Sequence, residues 1–288
     1  MKKYFDRLIA FAVSLALLMQ MLPLQAVAET ISVEPITETT MQTEQEAIPV
    51  TIVGEMEDLR EENSKHFRLS DGSYIAVSYG MPVHYQDEDG SWHDIDNSMT
   101  LVAGNGTSAY RLGNSATTTA FASNLSGGQL LVSSFGNVAV SMGLLDPSQV
   151  SQHVSASGTA TLVTLGGGAV YDRNATAEVV ADTESLLQLP ENSGWRPEEV
   201  IPENLQSSIL YEDVYPGVDL QYTAFSYNIK EQIIVKQPQS SYTYHFLLEL
   251  DGLAYVLNAD GSVSLNDATG KLAYSIPAPY MEDAAGVT

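Results

Sequence analysis

Cysteine is absent from the 288 residues, and bases are scarce, with 12 Lys and Arg against 36 Asp and Glu. Without cysteine there is no disulfide staple and no thiol nucleophile, so the fold must rest on burial alone. A formal net charge of −24 repels phosphate backbones and anionic lipid, so neither a nucleic-acid partner nor electrostatic membrane docking is expected. Several catalytic patterns are also missing. There is no H-E-x-x-H, no G-x-S-x-G elbow, no S-x-x-K and no phosphate loop, since the one Gly-Lys step (Gly270-Lys271) runs on into Leu272.

Long apolar runs are confined to the start. Lys2, Lys3 and Arg7 precede "LIAFAVSLALLMQMLPL", and Ala26 and Ala28 stand at the small-residue positions before Glu29. That is the grammar of a cleaved secretory signal peptide over residues 1–28, with the cut between Ala28 and Glu29. No later stretch approaches the roughly 20 apolar residues that span a bilayer. The mature chain is therefore expected outside the cell, secreted or surface-associated, with no membrane contact after cleavage. Residues 29–50, rich in Glu, Thr and Gln with no base, bury too little to offset chain entropy and read as an acidic disordered linker.

From residue 51 the punctuation becomes regular. "RLSDGSYIAVSYG" and "PVHYQDEDGSWHDID" place Asp-Gly turns between strand-like runs, and "LAYVLNADGSVSLNDATGKLAYSI" (253–276) reads as a three-stranded meander with Val263 and Leu265 on its buried face. In "VYPGVDLQYTAFSYNIKEQIIVKQP" (214–238), Val218, Leu220 and Tyr222 alternate with polar residues. The odd-numbered positions of the following run are apolar except Glu231, which would need a buried donor. Residues 101–185 are crowded with Ser, Thr, Ala and Gly, so their strands have weaker register. The expectation is an all-β fold of antiparallel sandwiches built from hairpins and meanders. It comprises an N-terminal β unit over 51–189, a proline-bearing connection at 190–208 and a C-terminal β-sandwich unit over 209–288.

Few residues point to chemistry. "LSGGQ" (125–129) matches the signature of ATP-binding cassettes, but without a phosphate loop it reads as a turn. The five histidines, at 66, 84, 93, 153 and 245, show no zinc spacing. His84 and His93 lie on the two arms of one hairpin, where exposed strand histidines are commoner than a metal pair. Asp87, Glu88, Asp89, Asp94 and Asp96 could offer oxygens to Ca²⁺, but not at EF-hand spacing, and tight hairpins need Asp in any case. No catalytic residue, metal or cofactor is expected. Trp92 and Trp195 are the candidates for stacking on sugar rings.

Two blocks carry a family resemblance. "LREENSKHFRLSDGSYIAVSYGMPVHYQDEDGSWHDIDNSM" and "LYEDVYPGVDLQY…NIKEQIIVKQPQSSYTYHFLLEL…GLAYVLNADGSVSLNDATGKLAYSIPAPYMEDAAG" resemble, in this order, the N-terminal region of large exported RHS/YD-repeat surface proteins of Gram-positive bacteria, of the wall-associated type. The resemblance covers residues 54–100 and 205–286. It implies a β-rich front part that precedes a YD-repeat shell and often a variable C-terminal toxin, and that is not itself catalytic. No Tyr-Asp repeat, toxin domain or wall-sorting signal occurs in these residues. The chain is then either the front of a longer product or a free-standing module.

The first reading is thus a non-enzymatic structural and interaction module of an RHS-like surface protein, with the rest of such an assembly or cell-wall polysaccharide as partner. The alternative is a carbohydrate-binding or adhesive β-sandwich at the wall, using Trp92 and Trp195. A secreted hydrolase working through Asp and Glu has no constellation to support it.

Overall fold

The computed structural model describes residues 50–104, 108–149, 159–163, 170–180, 200–239 and 242–284. The leader with Ala26, Ala28 and Glu29, the linker (residue 50 apart), His153 and Trp195 lie outside them. The described residues belong to one unit, Pro49–Thr288, and they are all-β, as the patterning requires.

Strands β1 (Ile52–Glu55), β2 (Ser64–Leu69) and β3 (Tyr74–Ser78) form a small antiparallel sheet, and β4 (His84–Gln86) and β5 (Trp92–Asp94) form a hairpin. Next come β6 (Met99–Ala103), β7 (Ser108–Leu112), β8 (Thr118–Ala122), β9 (Gln129–Phe135), β10 (Val138–Leu144) and β11 (Thr159–Val163). A second group is β12 (Ala177–Val180), β13 (Gln206–Tyr215), β14 (Val218–Phe225) and β15 (Ile229–Val235). The chain closes with β16 (His245–Asp251), β17 (Leu253–Leu257), β18 (Val263–Asp267) and β19 (Leu272–Ile276).

The largest sheet runs β11-β16-β10-β9-β8-β7-β6, so a strand from beyond residue 208 lies between two strands that precede residue 190. The four-stranded sheet β12-β13-β14-β15 packs on this sheet. Phe121, Leu125, Leu130 and Leu144 from one side and Ile209, Tyr211, Leu220 and Tyr222 from the other share a core. A second core forms where Val140 and Leu248 meet Val263 and Leu265 of the meander. Met142 of β10 faces Leu131 of β9 while Gly143 faces Gln129, so Leu130 is the extra residue of a bulge in β9. The bulge lets consecutive Leu130 and Leu131 enter the same core.

The hairpin grammar is realised atom by atom. At Asp87–Gly90 and Asp267–Gly270 the glycine N–H donates to the aspartate carbonyl at 3.0 and 2.9 Å. Each glycine takes a positive φ, 81° and 84°, that a side chain would oppose. Asp267 Oδ1 accepts from the Thr269 and Lys271 backbone N–H groups at 2.8 and 3.0 Å. The turn acids Asp87 and Asp267 thus accept bonds within their own turns. The "LSGGQ" segment is a turn, with Gly128 N–H donating to the Leu125 carbonyl at 2.9 Å and Leu125 fully buried. In β14 the polar face is not wet, because Asp219 and Thr223 are buried with Leu220 and Tyr222. Thr223 Oγ1 meets Ser208 Oγ at 2.8 Å, and Asp219 accepts from Lys236 and the Asp213 N–H, each at 2.7 Å.

Candidate functional site: an ion cluster around His84

The densest charged constellation among the described residues forms where the first small sheet meets the β4–β5 hairpin. Glu55 ends β1, and a 3₁₀ turn at Glu57–Leu59 then reverses the chain so that Arg60 folds back onto it. Arg60 Nε lies 2.8 Å from Glu55 Oε1, and its Nη2 lies 3.1 Å from Glu55 Oε2 and 2.9 Å from Asp94 Oδ2. Lys65, buried on β2, reaches Glu55 Oε2 at 3.3 Å and contacts Asp94 Oδ1. Burial alone would raise the pKa of either acid. The bonds and charges of Arg60 and Lys65 outweigh it and hold both carboxyls below their ordinary range. The same two carboxylates, after burial, push the Tyr79 phenol upward.

His84 faces this cluster from β4 and is 1% exposed. The Glu62 carbonyl accepts from the backbone N–H groups of Val83 and His84 at 2.8 and 3.1 Å. The Glu61 carbonyl lies 2.7 Å from His84 Nδ1. A carbonyl can only accept, so Nδ1 carries the proton and Nε2 is left facing the cluster. Nε2 sits 3.5 Å from both Glu55 Oε1 and Asp94 Oδ1 and makes no hydrogen bond. One ligand atom from each of Glu55, His84 and Asp94 therefore lies within 4.8 Å of the others.

The hairpin histidines do not act as a pair. His84 is registered with Asp94, whereas His93 is registered with Tyr85 and reaches Asp87 at 2.8 Å. Trp92 is half-buried, with its ring centroid 6.4 Å from that of His84. Glu55 and Lys65 gave no sequence signal, because what joins them to Asp94 is a sheet junction across about 30 to 40 residues of chain rather than a local spacing.

The fold and this cluster define the chain as an all-β protein of hairpins and packed sheets. Its likeness to known proteins is more particular. It is 26% identical over 297 residues to the tRNA nuclease WapA of Bacillus subtilis, a match covering 98% of this chain and 11% of the relative. It is also 26% identical to the tRNA(Glu)-specific nuclease WapA of Bacillus subtilis subsp. natto and to the tRNA3(Ser)-specific nuclease WapA of Bacillus spizizenii, again over 11% of each. The chain thus spans about a tenth of the length of these curated relatives. No family model matches the chain, and no solved structure does.

These matches support an RHS-type protein and correct two expectations. A chain that is not an enzyme and has no nucleic-acid partner was expected; the relatives are named as nucleases of tRNA. The charge argument failed because of its range. Screening confines a surface field to about 8–10 Å, so acidity over a stretch that matches about a tenth of each relative does not decide what the rest of those relatives binds.

Proposed function

We propose that these residues form the exported front section of an RHS-type polypeptide that acts on tRNA, and that the section serves there as a structural and interaction module. Support comes chiefly from the coverage, nearly all of this chain against 11% of each relative named a tRNA nuclease. The leader over 1–28, with cleavage after Ala28, delivers the section to the cell surface or medium. The acidic linker over 29–50 carries it, and the β units over 51–189 and 209–288, joined through 190–208, make the module. Cell-wall polysaccharide, or the remainder of the RHS-type assembly, is its partner. Among the described residues no helix is long and apolar enough to cross a membrane.

The test is to capture the polypeptide from the producing cells with antibodies raised against residues 50–284 and incubate it with total tRNA. Cleaved tRNA is the expected result. Intact tRNA with every captured form would overturn the reading.

A further inference from the structure

We propose that Glu55, His84 and Asp94 form a binding site for a divalent first-row transition ion of the zinc type. The first observation is His84 itself. It is buried, its tautomer is fixed by the Glu61 carbonyl, and its Nε2 has no hydrogen-bond partner. A histidine whose far nitrogen donates to a carbonyl while the near one points at carboxylates is oriented as metal-ligating histidines are. The second is spacing. Nε2 lies 3.5 Å from Glu55 Oε1 and from Asp94 Oδ1. Tetrahedral bonds of roughly 2.1 Å separate ligand atoms by about 3.4 Å, which the two His84 distances match, and the three ligand atoms lie within 4.8 Å of one another.

The donor set fixes the class. One imidazole nitrogen and two carboxylate oxygens suit Zn²⁺ and its neighbours, whereas Ca²⁺ and Mg²⁺ take all-oxygen shells. The Asp94 side chain is 50% exposed, which leaves an approach from solvent.

The two bases set the affinity. The Lys65 ammonium holds the same Asp94 oxygen that faces His84, and Arg60 Nε holds the same Glu55 oxygen at 2.8 Å, so the ion competes with a base at each carboxylate. When the ion enters, Lys65 keeps Glu55 Oε2 and Arg60 keeps Asp94 Oδ2, and both carboxylates stay anchored. Since Arg60 and Lys65 already balance the two acids, binding is moderate, with a dissociation constant of about micromolar size rather than that of a structural zinc.

The experiment titrates the chelator-stripped, full-length secreted chain with Zn²⁺ by calorimetry and with Co²⁺ by visible absorption. Expected are one ion per chain and a tetrahedral cobalt spectrum. His84→Gln and Asp94→Asn should each weaken binding by about tenfold or more, and Lys65→Gln should tighten it. Asp94 is half-exposed and tests the site if His84→Gln fails to fold, and a gain of affinity in Lys65→Gln cannot come from misfolding. No saturation up to about 1 mM ion, or an affinity unchanged in both Asp94→Asn and Lys65→Gln, would overturn the assignment.

Discussion

The hydroxyl of Tyr222 donates to the carboxylate of Glu231 across the β14–β15 pair, where the two residues are registered partners. The odd-numbered face of β15 is not the buried one expected, since Glu231, Ile233 and Val235 are all exposed, and the carboxylate bonds inward to the buried tyrosine. Protein atoms crowding the Glu231 carboxyl raise its pKa, and the tyrosine bond only partly opposes the rise. Tyr222 itself is fully buried, between Phe121 and Tyr211.

Removing the donor should cost more than neutralising the acceptor. Tyr222→Phe leaves the crowded carboxylate without its bond and should lower stability by about 1 kcal/mol. Glu231→Gln keeps an acceptor without the charge and should cost less or nothing at pH 7. Urea unfolding of the two variants checks the order, and a larger loss for Glu231→Gln would contradict it.

The cluster makes an acid-side prediction. Glu55 and Asp94 have depressed folded-state pKa values, so their contribution is present above the unfolded value of about 4 and is lost as pH falls through the folded value. Melting temperature should drop as pH falls below about 4, and Asp94→Asn should flatten that limb while lowering stability at neutral pH. Melting curves collected from pH 2.5 to 7 test it, and an unchanged slope in Asp94→Asn would be the contrary result.

Strand β16 lies between β10 and β11, which precede it by about 80 to 110 residues. A single protease cut within 190–208 should therefore leave two fragments that stay together through gel filtration under native conditions, joined by that sheet and the core under it. Fragments that elute separately would show two independent β units instead.

Trp92 offers the wall-polysaccharide test. Its ring is half-buried beside His84 and its carbonyl lies 3.4 Å from Arg60 Nη1. Trp92→Ala should weaken pull-down by purified wall polysaccharide by about fivefold or more if the ring stacks on sugar. Wild-type protein that fails to sediment with any wall fraction would remove polysaccharide as the partner.

Much of this architecture is legible in the chain because hairpins are written locally. Asp-Gly steps at 71–72, 89–90 and 260–261 announce turns, and the alternation around Val263 and Leu265 marks the buried face of β18. Long-range placement is not written that way. Nothing near His245–Asp251 says that it will pair with β10 rather than with its neighbour β15. The burial of Asp219 and Thr223 was hidden for a similar reason, since a polar residue at an alternating position reads as wet until its partners, Lys236 and Ser208, are placed. The His84 cluster draws on four short segments, none of which carries a recognisable spacing. Only the sheet junction assembles it.

The most direct measurement of the export reading is mass spectrometry of the antibody-captured polypeptide from separated wall, medium and cytoplasmic fractions. A mature N-terminus at Glu29 in the wall or medium is expected. A polypeptide retaining Met1 and residing in the cytoplasm would contradict the exported front section proposed for these residues.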